Sequence, residues 1–404
     1  MQRGHLEAAL GDPFDMVVIN SCTVTEAADK ECVSTIRSLH KANPSAQIVV
    51  TGCLVQRDAG VLRQLPGVRL LAGSNQKHRI AELVATLDPW ALEPQVELEL
   101  DQVYAPLSIS SFEGRAKAFV KVQDGCDRSC AFCTIPLVRG RSRSRPLADI
   151  LEEVRRLLGS GFQEVTLTGV ALGLWGKEWD SPQSLSELVE AVDRLPGRFR
   201  IRLSSLDPRD LDERLIQTLG SSQKVAHHLH LSLQSGCDPI LARMNRGYSS
   251  ASYRARVDAV RGHWPDLGLT TDVIVGFPGE TQGHFEQTVD FCRQMECAKI
   301  HVFPYSPRRR TSATFFREPV APVVVRERAR VLRQAADEIS AQFRQRFIGT
   351  EQEVLVENLE AGSTSQFIKV ALSASPGQVG ALLPLRIQKF TPQGLFGTFF
   401  SSHP

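Results

Sequence analysis

The chain has 404 residues, 42% of them hydrophobic and 23% charged, with a formal net charge of +2. At about 150 residues per domain this implies two or three domains, and the composition excludes low-complexity disorder, collagen and disulfide miniproteins. So small a net charge leaves nucleic-acid contact to local basic patches. With no apolar run of about 18 residues and no apolar core in the opening MQRGHLEAALGDP, a cytoplasmic protein without a membrane partner is expected.

Short β-branched runs recur along the chain, most followed by a helical pattern. MVVIN ends just before Cys22 and QIVVTG just before Cys53. A Pro-bearing, poorly periodic stretch at about 88–112 reads as a linker. Beyond it come AFVKVQ, EVTLTG, FRIRLSS, HLHLSLQ, TTDVIVG and KIHVFPY, with helical patterns such as LADILEEVRRLLGSG and YRARVDAVRGHW between them. Strands alternating with helices predict parallel α/β architecture. After a long charged helix at about 322–347 the pattern changes to EQEVLVENLE, QFIKVALS, GALLPLRIQKF and GLFGTFF, short strands between Gly and Ser turns. That predicts a small antiparallel barrel.

There are nine cysteines, an odd number, in a long chain without an export signal. Metal or redox chemistry in a reducing compartment fits better than a disulfide framework. Cys126, Cys130 and Cys133 in GCDRSCAFCTIP are spaced C-x3-C-x2-C. Three thiolates this close can hold a four-iron cluster and leave one iron open to a small molecule. A structural zinc knuckle would need a fourth ligand, and no nearby Cys or His fits. Cys22 and Cys53 each follow an apolar strand, so they fall on one rim of a parallel sheet, where two thiols could share a metal. Cys32, Cys237, Cys292 and Cys297 read as packed thiols. Arg139, Arg141, Arg143 and Arg145 alternate directly after the cysteine loop, and Arg308, Arg309 and Arg310 form a second basic cluster. Arginine suits phosphate, so the first run is a candidate RNA contact.

The triad, with Phe132 before its third cysteine, resembles the radical S-adenosylmethionine superfamily. KVQDGCDRSCAFCTIPLVRGRSRSRP, LTGVALG, RLSSLDP, HLSLQSG, TTDVIVGFPGET and HVFPYSPR together resemble its methylthiotransferases, most closely the MtaB type, over essentially the whole chain. The resemblance implies three parts. Residues 1–100 would be a flavodoxin-like α/β domain, 112–346 a partial (β/α)6 radical SAM barrel, and 347–404 a TRAM-like β-barrel. It also implies that S-adenosylmethionine chelates the open iron of a [4Fe-4S] cluster on Cys126, Cys130 and Cys133. One electron, from a donor such as a flavodoxin or ferredoxin, then yields a 5′-deoxyadenosyl radical. The reaction implied is addition of a methylthio group to C2 of N6-threonylcarbamoyladenosine beside the tRNA anticodon.

By the same resemblance, strand ends carrying Thr168, Gly169, Ser204, Ser205, Gln234, Ser235, Gly276 and Glu280 meet S-adenosylmethionine. Ordinary turns and helix caps are the competing explanation of those residues. In the family three N-terminal cysteines hold an auxiliary cluster. Cys22 and Cys53 match two of them, and the first strand with its Gly-Cys motif is missing, so a coding start further upstream is expected. Ala171 stands where the family carries His, and Arg309 and Arg310 interrupt a Pro-Gly-Thr pattern. The alternatives are a ribosomal-protein methylthiotransferase and a non-catalytic RNA-binding relic with a decayed auxiliary site.

Overall fold

A computed structural model describes residues 14–88, 91, 93–99, 104, 116–373 and 379–399. The helix-like HLEAALG stretch and most of the expected linker lie outside the described residues. The described chain falls into two compact units. One draws on 1–107, 125–143 and 306–314, the other on 108–124, 144–305 and 315–404.

In the first unit, apolar runs give β1 (Met16–Ser21), β2 (Gln47–Gly52), β3 (Val68–Ala72) and β4 (Gln95–Glu97), ordered β1-β2-β3-β4 and all parallel. The helices are α1 (Glu26–Ala42), α2 (Cys53–Arg63) and α3 (Ile80–Ala85), and α4 (Ile135–Arg139) in the cysteine loop. The core is Cys32 and Ile36 of α1, Ile48 and Val50 of β2, and Leu54, Val55 and Leu62 of α2. Strand β1 pairs with β2 over six positions, from Met16 opposite Gln47 to Ser21 opposite Gly52, which satisfies the backbone groups along that edge.

The second unit begins with β5 (Ala118–Lys121) and the two-residue β6 (Gln123–Asp124). After β7 (Arg143–Ser144), which straddles the division, come α5 (Leu147–Gly159), β8 (Glu164–Thr168), α6 (Leu185–Asp193), β9 (Arg200–Leu203), β10 (Ser205–Leu206) and α7 (Glu213–Ser221). Then follow β11 (His228–Leu231), α8 (Asp238–Arg243), α9 (Ser250–His263), β12 (Gly268–Val275), α10 (Gln282–Gln294), β13 (Lys299–Pro304) and α11 (Pro322–Gln345). Strands β5-β8-β9 and β10-β11-β12-β13 form two parallel sheets. A bridge between Ile201 and Val225, and the Ala226 N–H donating to Ile201 O at 2.8 Å, carry the arc from one to the other.

Periodicity explains the layers. Ala118 and Val120, Val165 and Leu167, Leu229 and Leu231, and Val273 and Val275 turn outward into one core with Ile150, Val154 and Leu157 of α5 and the other helices. The alternate residues face inward, and many of them are polar: Glu164, Arg200, Arg202, His228, His230, Thr270, Asp272 and His301. Helix starts are set locally. Ser184 with Glu187, Ser249 with Ser252, and Thr281 with His284 form capping boxes.

The C-terminal strands are β14 (Glu351–Val356), β15 (Ala361–Thr364), β16 (Lys369–Leu372), β17 (Leu382–Thr391) and β18 (Gly394–Phe399), closed as β14-β15-β16-β18-β17. The barrel is not antiparallel throughout, because β16 runs parallel to β18. AGST, expected to be a turn between strands, is β15. The turn after β15 reaches the base of the parallel arc. Arg202 donates to Thr364 O (3.3 Å) and Ser365 O (3.1 Å), and Arg200 to Glu353 O (2.8 Å) and Ser363 O (3.4 Å). The Arg202 guanidinium and the Lys117 ammonium lie over the Phe367 ring at 4.8 and 4.7 Å. Arg202 also grips Glu164 through two bonds of 2.9 and 3.0 Å. Burial pushes the Glu164 carboxyl up, but Arg202 and then Arg200 outweigh it and hold it below the ordinary carboxylate value.

Candidate cofactor site

The cysteine loop is built around a reversal at Gly125, whose φ is +74° and where a Cβ would lie 1.8 Å from Arg141 O. Only glycine fits there. The Cys126 N–H donates to Gly140 O at 3.0 Å and the Cys133 N–H to Cys130 O at 3.1 Å, drawing the loop into a tight bowl. All three thiols are half-buried. Backbone N–H groups point at two of the sulfurs, Arg128 N at Cys126 Sγ (3.4 Å) and Ile135 N at Cys133 Sγ (3.5 Å). Burial raises the Cys126 thiol above its ordinary value, against the Arg128 N–H and charge. An iron ion reverses that balance, because a coordinating thiol is deprotonated. Three clustered sulfurs with N–H donors suit an iron–sulfur cluster, whose properties such hydrogen bonds tune.

On the sheet rim of the same unit, Cys22 is exposed and Cys53 half-buried, and the register of Ser21 with Gly52 sets them side by side. Ser74 Oγ lies 3.6 Å from Cys53 Sγ. Cys32 is buried in the α1 core, apart from this pair.

The arginine run divides. Arg139 Nε donates to Cys53 Sγ at 3.1 Å. Arg143 is buried and donates to Asn75 Oδ1 at 3.2 Å. Arg145 is buried against Glu153 and donates to Asp149 O at 3.2 Å. The guanidiniums of Arg143 and Arg145 are thus engaged inside the fold. Arg141 is exposed. In the second cluster Arg308 is buried on Asp29 at 2.6 Å, while Arg309 and Arg310 are exposed.

In the second unit, strand ends carry the residues expected to meet S-adenosylmethionine. Thr168 and Gly169 end β8, and the Gly169 N–H donates to Ser204 Oγ at 3.3 Å, tying β8 to the end of β9. Ser205 is exposed. Gln123 Oε1 accepts from Ala171 N at 2.8 Å, bracing the LTGVA turn where the family carries His. Gln234 is left-handed at φ +68°, and its backbone donates to Asp272 O (2.8 Å) and accepts from Ile274 N (2.9 Å). Such a conformation is uncommon in a residue other than glycine.

Three of the expected residues are engaged internally. Ser235 is fully buried, its hydroxyl 3.2 Å from Thr288 Oγ1 and accepting from Cys237 N. Glu280 accepts from Gly276 N and from Arg328 Nη1, both at 2.7 Å, which closes the GFPGE turn. Burial raises its carboxyl despite Arg328. Gly276, at φ +75°, clears Val325 of α11, whose side chain lies 2.5 Å from the place of a Cβ. Protein packing thus accounts for Ser235, Glu280 and Gly276.

The chain matches the radical SAM superfamily over residues 120–292 and the uncharacterized protein family UPF0004 over residues 1–73. It is 36% identical over 390 residues to threonylcarbamoyladenosine tRNA methylthiotransferase MtaB of Chlamydia pneumoniae, covering 95% of this chain and 89% of that one. Against the Thermotoga maritima protein of the same name the identity is 34%, covering 94% and 87%. Against tRNA-2-methylthio-N(6)-dimethylallyladenosine synthase of Desulfitobacterium hafniense it is 32%, covering 98% and 91%. Among solved structures, the radical S-adenosylmethionine methyltransferase TsrM of Kitasatospora setae superposes with a TM-score of 0.53 at 15% identity, over 74% of this chain and 66% of that one. At that identity the likeness is one of fold. With the cysteine loop, the parallel arc and these relatives together, the chain belongs to the MtaB type of the radical SAM methylthiotransferases, enzymes that use S-adenosylmethionine and an iron–sulfur cluster.

Proposed function

We propose that the enzyme adds a methylthio group to C2 of N6-threonylcarbamoyladenosine at the tRNA position beside the anticodon. The observation that carries this reading is 31–36% identity, over nearly the whole chain, to relatives named for threonylcarbamoyladenosine. Cys126, Cys130 and Cys133 would hold the [4Fe-4S] cluster, which with bound S-adenosylmethionine supplies a 5′-deoxyadenosyl radical after one-electron reduction by a flavodoxin or ferredoxin. Arg128 N–H and Ile135 N–H stabilise the ligating thiolates. Thr168, Gly169, Ser204, Ser205 and Gln234 offer backbone and hydroxyl groups to S-adenosylmethionine at the carboxyl ends of the strands, where ligands of parallel α/β folds bind. Arg141 is the exposed member of the basic run that would approach RNA phosphate. Cys22 and Cys53 would be ligands of an auxiliary cluster on the rim of the N-terminal sheet. With tRNA as its substrate, the enzyme is proposed to work in the cytoplasm.

The test is nucleoside mass spectrometry of tRNA from cells with and without the gene. The 2-methylthio derivative of threonylcarbamoyladenosine should disappear on deletion while the unmethylthiolated nucleoside accumulates. Persistence of the derivative overturns the reading.

A further inference from the structure

Three inner-face side chains have no task in that reading. His230 on β11, Asp272 on β12 and His301 on β13 bring two imidazole nitrogens and a carboxylate oxygen within 4.8 Å of one another. Strand register causes this. Asp272 sits opposite His301, and His230 sits opposite Thr270, the neighbouring inner-face residue. All three are half-buried.

Hydrogens can be assigned along the row. Thr270 Oγ1 lies 3.0 Å from both His228 Nε2 and His230 Nδ1. His228 is fully enclosed, and desolvation, then Arg202, hold its pKa well below the ordinary value, so it is neutral. Its Nδ1 is buried with no partner. An orphaned N–H costs more than an orphaned lone pair, so the proton sits on Nε2 and is donated to Thr270. The Thr270 hydroxyl then donates to His230 Nδ1. His230 Nε2–H therefore points at Asp272 Oδ2, 3.3 Å away. The carboxylate is oriented by a three-residue relay. Its other oxygen and the His301 ring nitrogens have no protein hydrogen-bond partner among the described residues. Desolvation, then Lys299, lower the His301 pKa, so its ring is neutral and carries one N–H.

An acceptor and a donor thus stand side by side. Their complement is a group with an adjacent N–H and C=O. We propose that Asp272 and His301 recognise the carbamoyl group on N6 of the substrate adenosine, Asp272 accepting from its N–H and His301 donating to its carbonyl. His228, Thr270 and His230 act as positioning residues. This inference rests on the proposed substrate, and it predicts that an adenosine with an apolar N6 substituent is bound more weakly. Such a substituent leaves both polar groups unpaired, a loss that sites built on hydrogen bonds convert into strong discrimination.

The test measures binding of anticodon stem-loops carrying either threonylcarbamoyladenosine or plain adenosine at the target position. Wild-type protein should prefer the modified stem-loop by about tenfold or more. Asp272→Asn and His301→Leu should bring the preference to within about twofold, while His301→Asn, which keeps an N–H donor, retains part of it. Thr270→Val should act in the same direction through the relay. Thermal melting and the affinity for the plain stem-loop control for folding and phosphate contacts. Equal preference in wild type and variants overturns the inference. So does one equivalent of a divalent metal outside the iron–sulfur cluster that His301→Leu removes, since the trio would then be a metal site. If tRNA analysis shows no loss of the methylthio nucleoside on gene deletion, the substrate reading has failed instead.

Discussion

Replacing Glu164 with Gln removes the only anion buried between Arg200 and Arg202 among the described residues. The carboxylate is 0% exposed and each guanidinium 4%. Bonds of 2.9, 3.0 and 3.3 Å converge on it. Glutamine keeps the volume and one acceptor but strands two cations. Removing one partner of a buried pair costs about 3–5 kcal/mol. Arg200 and Arg202 retain carbonyl acceptors in the C-terminal barrel, so about 3 kcal/mol is the expected loss at pH 7. Because its folded pKa is depressed, Glu164 stabilises above the unfolded value of about 4.3, and this is lost as pH falls through the folded value. The gap between wild type and variant should therefore close only below about pH 4. Urea unfolding followed by Trp175, Trp179 and Trp264 fluorescence, with a second probe to check coincidence, measures it. A gap below about 1 kcal/mol at pH 7, or one unchanged in acid, would refute the reasoning.

Arg141→Gln should lower the salt slope of tRNA binding by about 0.7–0.9 for the lost phosphate contact, whereas Arg143→Gln should leave the slope alone and lower thermal stability. Identical slopes for Arg141→Gln and wild type would remove Arg141 from the interface. Alkylation of the folded apoprotein at pH 8 should modify Cys22 first and spare Cys292 and Cys297, since burial pushes the Cys297 thiol up to about 12 and Cys292 well above its ordinary value. Peptide mass spectrometry showing equal labelling would contradict that. His228 is neutral when folded, whereas the unfolded chain takes up a proton below about pH 6.5, so stability should fall by up to about 1.4 kcal/mol per pH unit there. His228→Gln should flatten the dependence of the urea midpoint between pH 6.5 and 5, and an unchanged slope would count against it.

The strands were legible from their apolar residues: continuous in MVVIN and QIVVTG, and alternating in FRIRLSS and HLHLSLQ, whose apolar residues pack into the helix layer while the residues between them face inward. The cysteine triad was legible because its spacing is local. Other features depend on distant partners. Arg143 and Arg145 look like solvent-facing charge until Asn75 and Glu153 are brought to them. Ser235 and Glu280 look like ligand groups until Thr288 and Arg328 occupy them. His230, Asp272 and His301 lie on separate strands, and only the register of β11, β12 and β13 makes them neighbours. The strand at AGST has the composition of a turn, and its place in a closed barrel overrides its weak propensity.

The carbonyls of Glu353, Ser363, Thr364 and Ser365 serve as ligands for two guanidiniums that belong to β9. Cutting the chain after α11 therefore does more than remove an appendage. It opens the foot of the arc to water and takes away the acceptors that share the charge of Arg200 and Arg202 with Glu164. The shortened protein would be expected to lose solubility and S-adenosylmethionine cleavage together. Weakened tRNA binding in such a truncation could not then be credited to the barrel's own surface. Point substitutions on exposed β17 positions such as Arg386 and Lys389, which leave the Thr364–Phe367 turn seated, separate the two effects.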